Sequence, residues 1–204
     1  MRLFARGIST GILVLAIFIS VACSGPTYKT EYYTLVADAK ADLLVEQRYS
    51  GSLGVGPIRT PDILNHSGIV SHGSDQQVFV APYQVWAGDL KRTITRVLAD
   101  DLSAYLGTHQ VWPFPRDNRV RPDRQISILF ERFDGERGGE VVLQAKWRLL
   151  TADAEKELHT AKVTLRTQTQ DGSYSAYVQA LNQLLDEFAG HLALAIAELE
   201  RGND

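Results

Sequence analysis

Apolar and polar residues alternate most regularly in the middle of the chain, where every second position is apolar. Three runs share this alternation: Ile126 to Phe130, Val141 to Leu149, and Ala161 to Thr167. A period of two is typical of β-strands that have one buried and one solvated face. The segment Asp134–Gly139, DGERGG, is rich in turn-forming residues and separates the first two runs. The pattern therefore predicts an antiparallel meander with one dry face and one wet face.

Two other segments repeat apolar residues every three or four positions, which predicts amphipathic helices. The first helix carries Leu90, Ile94, Val97, Leu98, Leu102 and Tyr105, and Gly107 ends it. The second carries Tyr177, Leu181, Leu184, Leu185, Phe188, Leu192, Ile196 and Leu199. Because the dry face of the meander needs a cover, we expect both helices to pack on it. The predicted fold class is α+β: two layers, with a mainly antiparallel sheet and two amphipathic helices on one face.

Shorter strands are predicted nearer the N-terminus, where β-branched and aromatic residues cluster. They are Tyr32–Val36, Leu53–Ile58 and Gln77–Val80, the last ended by Pro82. In the stretch GSLGVGPIRTPD, residues 51–62, the prolines are expected to end the strand at Gly56 and to force a turn. Residues 59–74 are expected to form a loop.

The N-terminus has the composition of a secretory signal peptide: two arginines, then the apolar run GILVLAIFISVA, residues 11–22. Cys23 follows directly and is the single cysteine of the chain, so no internal disulfide is possible. The sequence SVAC resembles a bacterial lipobox, in which the signal is removed and the cysteine acylated. The alternative is a plain signal peptide cut near Ala22. We therefore expect a signal peptide over 1–22, a lipid-anchored linker over 23–30 and one domain over 31–204.

Charge and motifs argue against several classes of function. The formal net charge is −3, and removal of Arg2 and Arg6 with the signal peptide makes the chain more acidic, which disfavours nucleic-acid binding. A dinucleotide loop that began at Gly54 and Gly56 would need a third glycine at position 59, where Arg59 stands, and the stretch also lacks the lysine of a P-loop. His66 and His72 match no metal-ligand spacing, so a solvated loop is preferred. The acidic pairs Asp100–Asp101 and Asp186–Glu187 are interpreted as solvated helix faces. No catalytic residue, metal ligand or cofactor site is predicted.

Four stretches, in this order, resemble the ABC-type transport auxiliary lipoprotein family. They are YYTL at 32–35, LGVGPI with PDIL at 53–64, WAGDL leading into ITRVLADDL at 86–102, and FDG at 133–135. The resemblance implies a non-enzymatic lipoprotein, anchored through Cys23 to the periplasmic face of the outer membrane. It also implies an envelope lipid transport system with a periplasmic MCE-domain protein and an inner-membrane component as partners. A body of this size is too small to enclose a lipid path alone, which favours a ring of copies around the MCE tunnel.

Candidate partner contacts are assigned to two predicted loops. They are Pro57, Arg59, Pro61, Trp112 and Phe114. For Trp112 a core position and an exposed aromatic edge both remain open, whereas Trp147 is expected in the core. Three other classes compete with the transport auxiliary: a periplasmic ligand-binding lipoprotein, a scaffold lipoprotein of another envelope complex, and a lipid-modifying enzyme. A deep apolar pocket would favour the binding protein, and convergent titratable groups in such a pocket would favour the enzyme.

Overall fold

The structure, a computed structural model, describes residues 28–39, 49–73, 75, 77–115 and 121–201. Its strands are β1 (Glu31–Tyr33), β2 (Leu53–Arg59), β3 (Gly68–His72), β4 (Val78–Trp86), β5 (Val111–Pro113), β6 (Arg124–Gly135), β7 (Glu140–Thr151) and β8 (Glu157–Gln168). Its helices are α1 (Leu90–Tyr105), α2 (Tyr174–Arg201) and a 3₁₀ turn over Asp62–Asn65. The α+β class is confirmed. Within the described ranges, neither helix is long and apolar enough to cross a membrane.

The strands form two sheets, of which the larger has the order β5-β2-β6-β7-β8. The predicted meander forms the last three strands of this sheet: β6 pairs antiparallel with β7, and β7 pairs antiparallel with β8. Phe130 lies opposite Ala145, and Ala145 lies opposite Val163. β2 instead runs parallel to both β5 and β6. The smaller sheet has the order β1-β4-β3, with β1 parallel and β3 antiparallel to β4.

The core lies between the five-stranded sheet and the helices. The apolar stripe of α2 is buried as predicted as far as Ile196, with Leu199 half-buried at its end, and Phe188 meets the ring of Phe130 edge-on at a centroid distance of 5.9 Å. Trp147 is also in the core, as expected. α1 packs against α2, β2 and β5. It ends at Tyr105, and Gly107 takes a positive φ of 62°, a conformation that glycine adopts without steric cost.

Two strand predictions and one loop prediction near the N-terminus were wrong in extent. β2 continues through Pro57 to Arg59, with a shift of register between Val55 and Ile58 that accommodates the proline. β4 continues through the exposed Pro82 to Trp86. Residues 59–74 are not one loop, because they contain the 3₁₀ turn and the buried strand β3. Prolines end strands less strictly at bulges and edges than in the middle of a sheet.

The segment after β1 is also not the strand that was predicted, since β1 ends at Tyr33. Residues 34–39 belong to no helix or strand, and side chains of both helices hold their backbone. The Val36 N–H donates to Asn182 Oδ1 at 3.1 Å, and the Asp38 N–H donates to Asp101 Oδ1 at 2.9 Å. Arg96 Nη2 donates to the Leu35 carbonyl at 3.4 Å. The segment is thereby fastened to α1 and α2.

Candidate functional site

A cleft with a volume of about 640 Å³ opens where the ends of β2 and β5 meet the first turns of α1. Its lining combines apolar and charged side chains: Pro57, Ile58, Asp89, Lys91, Arg92, Thr95, Arg96, Pro113, Phe114 and Pro115. Binding sites for small molecules usually have a volume in this range. We call it the β2–β5–α1 cleft.

The corner between β2 and β5 depends on two glycines of the LGVG motif. Gly56 has a φ of +136°, and a Cβ placed on it would lie 2.0 Å from the carbonyl oxygen of Phe114. A Cβ on Gly54 would lie 3.0 Å from the Cβ of Phe114. The Phe114 N–H donates to the Val55 carbonyl at 2.8 Å, which fixes the approach. The glycines therefore bring Phe114 against β2 at the mouth of the cleft.

The other wall is the N-terminal part of α1, where basic residues outnumber acidic ones. Asp89 is the N-cap: its Oδ1 accepts the Arg92 N–H at 2.7 Å, which satisfies one of the unpaired amides of the first turn. Arg96 pairs with Asp100 at 3.3 Å. Lys91 and Arg92 are exposed and form no ion pair with the described residues. The cleft thus presents positive charge beside an apolar wall and suits an anionic group attached to an apolar body.

The predicted contact residues separate into two groups. Pro57 and Phe114 both line the cleft, so the structure brings together two residues that are distant in sequence. Trp112 lies in β5 beside Gly54 of β2 and is half-buried. Its exposure is therefore intermediate between the core position and the exposed edge that the sequence left open. Pro61 is half-buried just before the 3₁₀ turn, and Arg59 is exposed at the end of β2. Cys23 lies outside the described residues.

Two acidic residues that were interpreted as solvated are buried instead. Asp101 is 1% exposed and Asp186 is 4% exposed. The Tyr105 hydroxyl donates to the Asp186 carboxylate. Burial raises the pKa of Asp101 to about 7, and the nearby charges of Asp186 and Asp100 add to the shift. Because Asp101 follows Leu98 by three positions and precedes Tyr105 by four, helical spacing already places it on the apolar stripe, and that signal was overlooked.

A second polar cluster connects the two sheets. His72 Nε2 of β3 lies 3.1 Å from Asp134 Oδ2 of β6, and Arg132 Nη2 donates to Asp134 Oδ1 at 3.0 Å. The Tyr177 hydroxyl accepts the Gly135 N–H and donates to the Val70 carbonyl, both at 2.9 Å. Burial raises the pKa of Tyr177. His72 therefore belongs to a strand and not to the solvated loop that was expected.

Metal binding finds no support in the part of the chain that the structure describes, which holds no group of three or more histidine, cysteine, aspartate or glutamate side chains arranged around an ion. Of the two histidines considered from sequence, His66 is exposed and His72 faces Asp134.

Comparisons with known proteins agree on a family and a fold. The family model for the ABC-type transport auxiliary lipoprotein component matches residues 33–193. A crystal structure of a Xanthomonas campestris protein is similar with a TM-score of 0.68 and 13% identity, covering 85% of this chain and 98% of its own. The crystal structure of an uncharacterized protein has a TM-score of 0.65 and 22% identity, covering 83% and 99%. No curated protein matches the sequence.

Proposed function

We propose that this chain, which belongs to the family of ABC-type transport auxiliary lipoprotein components, is the outer-membrane lipoprotein of an MCE-type envelope lipid transport system. The family match over residues 33–193 is the observation that carries the proposal. Within the family the sequence resembles paraquat-inducible protein C. In this proposal the chain is not an enzyme: acylated Cys23 anchors it, and the folded body docks the end of a periplasmic MCE-domain protein so that phospholipid passes between the membranes.

The β2–β5–α1 cleft is the surface that we assign to the partner. Phe114 and Pro57 offer an apolar contact, and Lys91 and Arg92 offer charge that no described carboxylate neutralises. Aromatic residues in pockets and basic side chains at their rim are common at protein interfaces. An apolar segment of the MCE-domain protein that carries a carboxylate fits this combination.

Site-specific photo-crosslinking in cells tests the assignment. A photoreactive amino acid at Phe114 should crosslink the lipoprotein to the MCE-domain protein, identified by mass spectrometry. The same amino acid at Leu194, a 44%-exposed residue of α2, is the control and should give no such product. Equal yields at both positions, or none at Phe114, would reject the cleft as the docking surface.

Location and assembly are tested separately. Cys23→Ala should release the chain from the outer-membrane fraction, because the acyl chains are the proposed anchor. Persistence in that fraction would contradict the anchor.

We also propose that several copies form a ring around the MCE tunnel. A mass of one copy at high concentration, both alone and with the MCE-domain protein, would exclude the ring.

A ligand-binding lipoprotein is the second candidate, favoured by the volume and mixed lining of the cleft. In that case the cleft would take an anionic amphiphile and not a protein segment. Native mass spectrometry of protein extracted from the envelope distinguishes the two. A bound lipid lost in Phe114→Ala, together with no crosslink to an MCE-domain protein, would favour the second candidate.

A further inference from the structure

Exposed apolar side chains are concentrated on two neighbouring strands, β1 and β4. They are Tyr32 (71% exposed), Val78 (43%), Phe79 (50%), Val80 (42%) and Tyr83 (37%), and we call them the sheet patch. The register places Tyr32 beside Val85, two positions from Tyr83. Most of the patch lies on β4, and Tyr32 lies beside the C-terminal end of that strand.

The strand that carries most of the patch is open on one side. β1 pairs only with Gln84–Trp86, so no described strand lies beside residues 78–83 on that edge of β4. These six residues, VFVAPY, contain no charged side chain. Exposed edges are normally protected by charged residues or by a covering element, and apolar patches on soluble proteins usually mark an interaction site. We therefore expect another molecule to contact the sheet patch.

We propose that the sheet patch rests in the headgroup region of the phospholipid bilayer that holds the anchor. The inference depends on the lipid anchor of the proposed function. Residues 24–30 are the whole chain between Cys23 and β1, and fully extended they span at most about 25 Å. An acylated Cys23 thus keeps β1, and with it the small sheet, close to the membrane surface.

The chemistry of the patch favours lipid over a second copy of the chain. Val78, Phe79 and Val80 are consecutive and all exposed, so both faces of this end of the strand are open. A rigid partner would cover one face, whereas lipid surrounds both. Tyrosine is enriched at the membrane interface, where its apolar ring and polar hydroxyl both find a partner, and phenylalanine is common on the apolar face of segments that lie in the interface. The headgroup region also supplies water to the open backbone edge, which the hydrocarbon core would not.

A fluorescent label on an introduced cysteine tests the contact in the lipidated full-length protein. Acylation blocks Cys23, the single native cysteine, so the new thiol is the only one that reacts. Phe79→Cys places the label in the patch, and Leu194→Cys places it on α2 as the matched control with 44% exposure. Both proteins are reconstituted in vesicles of phosphatidylethanolamine and phosphatidylglycerol, with and without lipids that carry a nitroxide near the headgroup.

We expect the label at position 79 to lose more than half of its fluorescence to the nitroxide lipids, and the label at position 194 to lose little. Vesicle flotation in the same samples reports the anchor independently. Protein that floats without quenching at position 79 would overturn the membrane contact and leave the anchor intact. Equal quenching at both positions would also overturn it. Quenching that depends on protein density instead of on nitroxide would assign the patch to a second copy. Protein that does not float would overturn the anchor and the inference that rests on it.

Discussion

The outer surfaces of the two sheets differ in the way they meet water. On the five-stranded sheet the exposed positions of β8 are polar, as in Lys162, Thr164 and Arg166. Lys162 and Lys146 both reach Glu131 at 2.7 Å, and their hydrogen bonds, together with one from Gln144, lower the pKa of Glu131 to about 2. On the three-stranded sheet the exposed positions of β4 are apolar.

The difference indicates which of the two surfaces is suited to contact with water and which is suited to contact with another molecule. β8 is an edge strand whose charged side chains discourage further pairing, a common protection of sheet edges. Residues 78–83 of β4 also face no described strand on one edge, and they carry no charge. We therefore expect substitutions in the core between the five-stranded sheet and the helices to change the free energy of unfolding strongly. Substitutions in the sheet patch should change it little, and should instead alter which molecules the protein contacts.

Phe188→Ala should have the largest effect, because it empties the interface between α2 and the five-stranded sheet. Phe188 is fully buried and meets Phe130 edge-on. Loss of a buried phenylalanine side chain costs about 3–5 kcal/mol of unfolding free energy. Urea unfolding followed by circular dichroism measures the change. A loss as small as that of a surface substitution would remove the contrast between the two sheets.

Gly56→Ala should be the next most damaging, because the added Cβ collides with the Phe114 carbonyl and φ is positive. We expect a loss of about 3 kcal/mol in unfolding free energy. Gly88→Ala is the matched control, since a Cβ there has no atom within 4 Å, and its change should stay within about 0.5 kcal/mol. Comparable melting temperatures for the two variants would show that β2 and β5 do not need this close approach.

Asp101→Asn tests whether the buried carboxylate of Asp101 destabilises the folded protein when it is ionised. The pKa of Asp101 is about 7 in the folded state and about 4 in the unfolded state, so its contribution to stability is fully present below pH 4 and is lost as the pH rises through 7. The stability of the variant relative to the wild type should therefore improve by about 4 kcal/mol between pH 4 and pH 8, since the two pKa values differ by about three units. Urea unfolding at both pH values measures it. Parallel pH profiles would contradict the raised pKa.

Substitution of Phe79 by serine should have the smallest effect on folding, since half of this side chain is exposed. We expect the unfolding free energy to fall by about 1 kcal/mol or less. Leu129→Ser, at 42% exposure on β6, is the control for loss of a partly exposed apolar group. Differential scanning calorimetry compares the two. A destabilisation close to that of Phe188→Ala would mean that the sheet patch is part of the core.

The sequence predicts most accurately the elements whose faces differ most. β6, β7, β8 and both helices carry long regular patterns, because each buries one side and solvates the other. β3 was missed because it is short and buried on both faces, so its residues do not alternate. β4 was predicted too short because Pro82 was expected to end it, whereas the edge of a sheet tolerates proline.

The candidate site was predictable only in part, because its walls come from distant segments. Pro57 and Phe114 were both selected as contact residues, yet nothing in the sequence indicated that they share a cleft. The contribution of Lys91 and Arg92 was missed because basic residues at the start of a helix are usually just solvated. The role of Gly56 was also hidden, since the close approach of the Phe114 carbonyl is a property of the folded chain.

The fastening of residues 34–39 has a mechanical consequence. β1 holds only three residues in the small sheet, and tension from a membrane tether would reach it first. Immediately after it, Asn182, Asp101 and Arg96 hold the backbone at Val36, Asp38 and Leu35. If β1 were pulled out of the small sheet, these bonds would pass the load to both helices, so the rest of the folded body should move as a unit.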